Sequence, residues 1–277
     1  MVLNASIVGY FEKEAIKTVS TWTYQPATWN GNPVAQANMT ASIIFTMTNS
    51  NVEVTGSFRS NYEKANTAIL GGDLSGAKSI IDKLDSGKKK RLSEVCHLDI
   101  LKATYWQSRG DNAETLHYVN RALVIADVAV SNDMYTSLLR QAIAAEEASH
   151  NYISALNHYK TLLEVEGDIS ADDPIRGVVK QIEEVIGSEG AIVTNGKISQ
   201  CADCLPDTLY WHHFLNRNRF SIAQVTGEVG EIEILCGFQS VSLIYNPEAI
   251  LSVEKDWGQC YLRVFGEQGT ILQLTEF

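Results

Sequence analysis

The chain has 277 residues, 45% of them hydrophobic, and a formal net charge of −11 at pH 7, which fits two or three small domains with cores of their own. So acidic a balance argues against nucleic acid as a partner, because phosphates are neutralised by clustered Lys and Arg. The sequence contains no apolar run of about 18 residues and therefore predicts no transmembrane helix.

The first predicted element is an amphipathic helix that begins near Phe11. Its apolar residues share one helical face and comprise Phe11, Ala15, Ile16, Val19 and Trp22. The acidic residues of its first turn suit the positive end of the helix dipole. This pattern predicts a helix that packs one side against another part of the chain.

A turn and a strand are predicted to follow this helix. Pro26 favours an extended backbone at the residue before it, and Asn30-Gly31 and Asn32-Pro33 have turn chemistry. Residues 41–47 are apolar and rich in β-formers, which predicts a strand. One helix and one strand cannot pair the strand's own edge. We therefore expect the strand near Ile43 to pair with another segment or with a second copy of the chain.

The same segment resembles the last helix and strand of the TonB C-terminal domain. In that family a helix with the pattern Phe-Glu-x-x-Ala-x-x-x-Val leads into Trp-x-Tyr/Phe-x-Pro-Ala, an x-Gly-x-Pro-Val turn and a final strand. This chain carries the pieces in that order, from Phe11 to Val34. Only about ten residues precede the helix, so the resemblance covers a truncated domain that lacks its first half.

The resemblance implies a non-enzymatic periplasmic protein-interaction module. In the family, the last strand adds to the TonB box of an outer-membrane receptor by β-augmentation, and energy comes from an inner-membrane complex of ExbB and ExbD. The carried-over binding strand comprises Gln36, Thr40, Ile43, Phe45 and Met47, and the corner that shapes it comprises Trp22, Tyr24 and Pro26. The printed sequence starts with neither a signal peptide nor a membrane anchor, so this location requires an export signal upstream.

The middle of the chain has helical periodicity and a weak internal repeat. Three stretches each consist of a helix, a short turn and a second helix, and the turns recur at intervals of roughly 38 to 40 residues. The turns are Gly72-Asp73, Gly110-Asp111 and His150-Asn151, and a final helix is predicted at residues 175–186. The region is similar to tetratricopeptide repeats, whose period is about 34 residues.

Two interpretations of these helices stay open. Stacked helix pairs form a solenoid with a concave face, and such a face binds peptides or proteins. The alternative is a helical spacer that holds two β modules apart. The first interpretation gives a second hypothesis for the whole protein: a peptide-binding scaffold with structural β domains.

The last part of the chain alternates short apolar runs with glycine-containing turns. The predicted strands cover residues 191–193, 220–225, 231–236, 241–245, 259–266 and 270–274. Short strands at this spacing indicate a small antiparallel β-sandwich. The predicted fold is thus a multidomain α+β protein: a truncated TonB-like segment at 1–55, a tetratricopeptide-like α-solenoid at 56–187 and a β-sandwich at 188–277. This order resembles a group of TonB-family proteins of marine gammaproteobacteria.

Five cysteines are present, an odd number. Cys236 ends one predicted strand and Cys260 begins another, and we favour a disulfide between them over two buried thiols. Such a bond suits an oxidising periplasm. Cys201 and Cys204 form a Cys-x-x-Cys motif that is open to a loop disulfide, free thiols, or metal or redox chemistry. Cys96 lies on a predicted helix and is expected to be a buried thiol.

Few residues in the sequence point to catalysis. It contains no Gly-x-Ser-x-Gly, Walker loop, His-Glu-x-x-His or dinucleotide-binding turn. The adjacent His212 and His213 point in different directions on an extended backbone and make a weak ligand pair. We therefore predict no cofactor and no catalytic residues, with an enzyme using Cys201 and Cys204 as the least favoured hypothesis.

Overall fold

The computed structural model describes residues 11–25, 28–29, 32–33, 43, 45, 53–86, 90–200, 209–237 and 239–277. In these residues the protein is of the mixed α+β type, with eight α-helices and two larger antiparallel sheets. Helix α1 spans Glu12–Ser20. The two-residue strands β1 (Thr28–Trp29) and β2 (Asn32–Pro33) pair antiparallel, and the predicted turn residues Asn30 and Gly31 lie outside the described residues.

Helix α1 buries less of its apolar side than the sequence predicts. Phe11, just before the helix, packs against a cluster of buried residues between 95 and 142, and its ring stacks on Phe45 with 4.9 Å between centroids. In contrast, Ile16 and Trp22 are exposed, and no residue of α1 itself is fully buried. The contact is therefore made by one end of the helix.

Seven further helices follow and are arranged in three pairs and a final helix. They are α2 (Gly56–Leu70), α3 (Leu74–Asp85), α4 (Leu92–Ser108), α5 (Asn112–Ala129), α6 (Asn132–Ala148), α7 (Tyr152–Glu166) and α8 (Pro174–Gly187). Thr55, Asp73 and Asp111 each accept a hydrogen bond from a backbone N–H of the first turn. These short polar side chains fix where the helices begin, because the first N–H groups have no partner within the helix.

The three turns inside the helix pairs have the same backbone geometry. In the first, the N–H of Asp73 donates to the carbonyl of Ala68 and the N–H of Gly72 donates to that of Ile69. The same two bonds recur 38 residues later at Asp111 and Gly110, and again 40 residues on at Asn151 and His150. Each is a Schellman turn, with the residue before the acidic or amide side chain at positive φ. The internal repeat predicted from the sequence is thus present in the backbone.

The strands after residue 190 form two antiparallel sheets. The strands are β3 (Ile192–Lys197), β4 (Ser199–Gln200), β5 (Leu209–Phe214), β6 (Arg219–Thr226), β7 (Val229–Cys236), β8 (Gln239–Ile244), β9 (Ile250–Ser252), β10 (Cys260–Gly266) and β11 (Ile271–Glu276). One sheet has the order β4-β5-β10-β7-β8 and the other the order β3-β11-β6-β9. The six strands predicted from the sequence are all present, whereas β4, β5 and β9 were not predicted.

Within the described residues, one hydrophobic cluster contains buried side chains of both sheets. It contains Phe220 and Leu274 from the four-stranded sheet and Ile234, Leu262 and Val264 from the five-stranded sheet. Side chains alternate between the two faces of a strand, so the neighbours of these residues in sequence point to the outer faces.

The helices do not have membrane-spanning character. Among the residues that the structure describes, no helix combines the length and the apolar composition needed to cross a bilayer. This agrees with the sequence prediction.

Candidate functional site

A polar cluster connects the third helix pair to the β strands. Asn216, in the turn between β5 and β6, donates from Nδ2 to the carbonyl of His150 at 2.7 Å, and its Oδ1 accepts from the N–H of Ile153 at 3.2 Å. In return, Oδ1 of Asn151 accepts from the N–H of Phe214 at 3.3 Å. Two amide side chains thus exchange hydrogen bonds with the backbone on the opposite side. We call this group, with Glu276 and His213, the joint.

Glu276 lies at the centre of the joint and is fully buried, with 0% of its surface exposed. Its carboxylate accepts from the N–H of Asn216 at 2.6 Å, from that of Arg217 at 2.8 Å and from Nδ2 of Asn216 at 2.8 Å. Nε2 of the buried His213 lies 3.2 Å away and donates to the same carboxylate. A buried carboxylate is stable only when its oxygens are satisfied in this way. The joint therefore has a structural role, since no substrate can reach it.

The third turn of the repeat differs from the first two in a way that serves the joint. His150 adopts φ 57°, a conformation that Gly72 and Gly110 supply at the equivalent positions. A histidine there costs conformational energy, but its Nδ1 donates to the carbonyl of Val193 on β3 at 2.8 Å and its ring stacks on Tyr152. The departure from Gly-Asp is thus explained by contacts with the β strands.

A Glu, a Ser and a His lie together between α6 and α7. Glu146 is fully buried; it accepts from the hydroxyl of Ser154 at 2.5 Å and from Nδ1 of His158 at 2.8 Å. In a nucleophilic triad the serine hydroxyl donates to the histidine, whereas here both side chains donate to the carboxylate. The cluster therefore holds two helices together and does not activate a nucleophile.

Aromatic rings line two neighbouring strands, β5 and β10, on the outer face of the five-stranded sheet. Alternation along β5 and β10 places there the residues that we call the aromatic face: Tyr210, His212, Phe214, Tyr261 and Phe265. The centroids of Phe214 and Tyr261 lie 4.9 Å apart, and those of His212 and Tyr261 lie 5.3 Å apart. Such ring pairs add stability beyond the area that they bury.

A charged pair sits among these rings. The guanidinium carbon of Arg263 lies 5.5 Å from the ring centroids of both Tyr210 and Tyr261, and its NH1 donates to Glu233 at 3.2 Å. Burial raises the pKa of the Tyr261 hydroxyl above its usual range, so this tyrosine is neutral at physiological pH. The aromatic face thus combines neutral rings with one fixed cation.

His212 is the residue of this face with the most perturbed acidity. Desolvation by the surrounding protein atoms lowers its pKa to about 4, and repulsion from His117, His213 and Arg263 adds to the effect, although the residue keeps part of its surface in solvent. Its partner in sequence, His213, points to the opposite side of β5 and is buried. The expectation that the two rings diverge is therefore correct.

We expect His212 to make the fold less stable in mild acid. The unfolded chain binds a proton at His212 with a pKa of about 6.5, whereas the folded chain binds it only near pH 4, so the free energy of unfolding should fall as pH drops through this window. Because the residue is partly exposed, solvent screening makes this fall modest. His212→Phe keeps a ring but cannot titrate. Urea unfolding between pH 4 and 7 should give a shallower pH slope for this variant. Equal slopes for the two proteins would contradict the assignment.

The helices carry a groove between α3 and α4. It encloses about 700 Å³ and is lined by Leu74, Ser75, Lys78, Ser79, Asp82, Tyr105 and Arg109. The guanidinium carbon of Arg109 lies 5.0 Å from the ring centroid of Trp106, and its NH1 donates to the hydroxyl of Tyr105 at 3.3 Å. This groove offers a cation backed by aromatic rings and an open polar wall.

The residues predicted to bind a partner are only partly described. Ile43 and Phe45 lie outside regular secondary structure, whereas Gln36, Thr40 and Met47 lie outside the described residues. Trp22 and Tyr24 of the predicted corner are exposed, with their ring centroids 6.3 Å apart, and Pro26 is not among the described residues. The partner-binding role of this segment stays a prediction.

The cysteines follow the sequence prediction where the structure describes them. Cys236 and Cys260 face each other across β7 and β10, with Cα atoms 4.2 Å apart, and are joined by a disulfide. Cys96 is a buried free thiol on α4, and burial raises its pKa to about 12. Cys201 and Cys204 lie outside the described residues. Within the described residues, no three His, Cys, Asp or Glu side chains are arranged to hold a metal ion.

The joint is the feature that sequence reasoning missed. Asn216 and Glu276 belong to segments 60 residues apart in sequence, and neither is part of a recognisable motif. The available signal was the replacement of Gly-Asp by His-Asn in the third turn.

No protein-family model matches this chain, and no curated protein is significantly similar to it. In its described residues the protein consists of helix pairs followed by two antiparallel sheets.

Proposed function

We propose that this protein is a non-enzymatic scaffold that binds a peptide segment of partner proteins. In this proposal α2 to α7 form a tetratricopeptide-like array and the two sheets form a β-sandwich attached to its last repeat. The domain divisions at residues 55 and 187 belong to the same proposal. The observation that carries it is the recurrence of one turn geometry at Asp73, Asp111 and Asn151.

Repetition of this kind favours binding over catalysis. Stacked helix pairs create an extended surface because each pair contacts mainly its neighbours. The buried ionisable residues described above, Glu146 and Glu276, are occupied by structural hydrogen bonds. The groove between α3 and α4 is open to solvent and supplies the exposed Arg109 for a carboxylate and the partly exposed Leu74 for an apolar side chain. We infer that the partner segment binds in this groove.

Peptide selection tests the proposal. A phage-displayed library of random peptides is selected on the full chain, and each enriched peptide is titrated by calorimetry. We expect saturable 1:1 binding that Arg109→Ala weakens several-fold. Lys64→Ala, which removes an exposed cation on α2 outside the groove, should leave affinity unchanged. If no peptide is enriched, or if both variants bind equally well, the helical array is not the binding site.

A TonB-like role in the periplasm is the second candidate. It is supported by α1, which forms where the resemblance implies a helix, and by the pairing of β1 with β2 after it. The disulfide between Cys236 and Cys260 also suits an oxidising compartment. In this proposal residues 36–47 pair with an extended segment of a TonB-dependent outer-membrane receptor or with a second copy of the chain.

Fractionation of the native host tests this second candidate. We expect the protein in the periplasmic fraction. Recovery in the cytoplasmic fraction would contradict the candidate. The scaffold proposal would then stand alone, since it does not depend on the compartment.

A further inference from the structure

Strand β8 presents an open main-chain edge. Within the described residues it is hydrogen-bonded to β7 only. The N–H of Tyr245 donates to the carbonyl of Gly230, and bonding alternates along an antiparallel pair. The N–H and C=O groups of Ser240, Ser242 and Ile244 therefore point away from β7. They offer donors and acceptors to an extended chain.

The other described edges of the two sheets are shorter or occupied. Strand β4 has two residues and β9 has three. Strand β3 has six, but the carbonyl of Val193 accepts from His150 and the strand ends in Lys197. Sheet edges are usually protected by shortness, charge or covering segments. Strand β8 has six residues with neither charge nor proline, so neither shortness nor charge protects it.

A hollow beside this edge has the chemistry of a site for a basic side chain. It has a volume of about 560 Å³, and the residues that line it include Gly230, Glu231, Ile244, Phe265 and Gly266. Ile244 is 88% exposed, which is unusual for a large apolar residue on a sheet. An Arg or Lys here would lay its stem on Ile244, place its charge over Phe265 and pair with Glu231.

Charge selects the kind of occupant. The neighbouring Ser240 and Ser242 are short, so a long side chain on an added strand can reach across them towards β7. The chain has a net charge of −11, which attracts a basic segment and repels a second copy. The occupant that fits is therefore an extended segment bearing Arg or Lys.

We propose that β8 is a second interaction surface, which accepts an extended basic segment of a partner protein as the sixth strand of the sheet. An Arg or Lys of that segment occupies the hollow lined by Glu231, Ile244 and Phe265. The added strand makes main-chain hydrogen bonds to Ser240, Ser242 and Ile244. This surface is separate from the groove between α3 and α4.

The probe is an acetylated and amidated peptide, Gly-Thr-Val-Arg-Val-Thr-Val-Thr-Gly, titrated into the ¹⁵N-labelled full chain. We expect shifted resonances and slowed amide exchange at Ser240, Ser242 and Ile244. Ser242→Pro should abolish binding because it removes an outward N–H, and proline is tolerated in edge strands at such positions. Ser242→Val keeps the N–H and should bind the peptide. Arg109→Ala should have no effect, which separates this surface from the helical groove.

Removing the charge from the protein and from the peptide in turn provides a test that does not depend on proline. Glu231→Gln should weaken the Arg peptide several-fold and leave a peptide with Gln in place of Arg unchanged. The proposal is overturned if the peptide does not bind, if the protected amides lie elsewhere, or if Ser242→Pro binds normally. It is also overturned if sedimentation shows a dimer of the free chain that Ser242→Pro dissociates, since the occupant would then be a second copy.

Discussion

Replacing Glu276 by alanine should lower the free energy of unfolding by about 3 kcal/mol or more. The substitution leaves the N–H groups of Asn216 and Arg217 and the Nε2–H of His213 without their acceptor. Each buried donor that loses its partner costs about 1–3 kcal/mol. Urea unfolding followed by circular dichroism measures the change, and amide exchange at Phe214 and Ile153 reports on the joint directly.

The matched control for this variant is Glu267→Ala, which removes an exposed carboxylate from the turn between β10 and β11. We expect this change to stay within about 0.5 kcal/mol of the unsubstituted protein. Glu276→Gln should fall between the two because it keeps one acceptor oxygen but adds an amide among donors. A loss below about 1 kcal/mol for Glu276→Ala would show that water satisfies the joint and that the carboxylate is dispensable.

The second large effect is expected from the disulfide. Replacing both Cys236 and Cys260 by alanine opens a loop with a sequence separation of 24, and a cross-link over such a loop stabilises a fold by about 3 kcal/mol. The midpoint of urea unfolding should fall accordingly. Double substitution is the informative experiment because a reductant alone would also act on any other disulfide in the chain.

A reductant then serves as the control for the disulfide experiment. In dithiothreitol both proteins lack the cross-link, so the difference between their unfolding free energies should shrink to about 1 kcal/mol or less. A difference that persists unchanged in reductant would mean that side-chain packing of Cys236 and Cys260 in the core, and not the covalent bond, produces the loss.

The helices and most strands follow from local patterns in the sequence. The first two repeated turns can be recognised in the sequence as Gly-Asp before an amphipathic stretch. The strands of the C-terminal part can be recognised because apolar and polar residues alternate along them. Strand β5 escaped prediction because Leu-Tyr-Trp-His-His-Phe carries large side chains on both faces. One face packs on the core and the other forms the aromatic face, so the sequence lacks the usual alternation.

The joint and the open edge of β8 were harder to predict because they depend on contacts between distant segments. In the sequence Glu276 is one charged residue of the last strand, and nothing nearby indicates its hydrogen bonds to Asn216. The open edge of β8 depends on strand order, which periodicity does not specify. By contrast, the bond between Cys236 and Cys260 was predictable, since each cysteine lies at the end of a recognisable strand.

The third turn has a consequence for how the array could change in length. Contacts with the β strands described above use His150, Asn151 and Ile153, all in or next to that turn, and none uses the first two turns. These hydrogen bonds would therefore be kept if helix pairs before α6 were added or removed, whereas the proximity of His117 on α5 to His212 would be lost. Such a change in length would alter the distance between the first helix pair and the β strands, while the hydrogen bonds of the third turn stay the same.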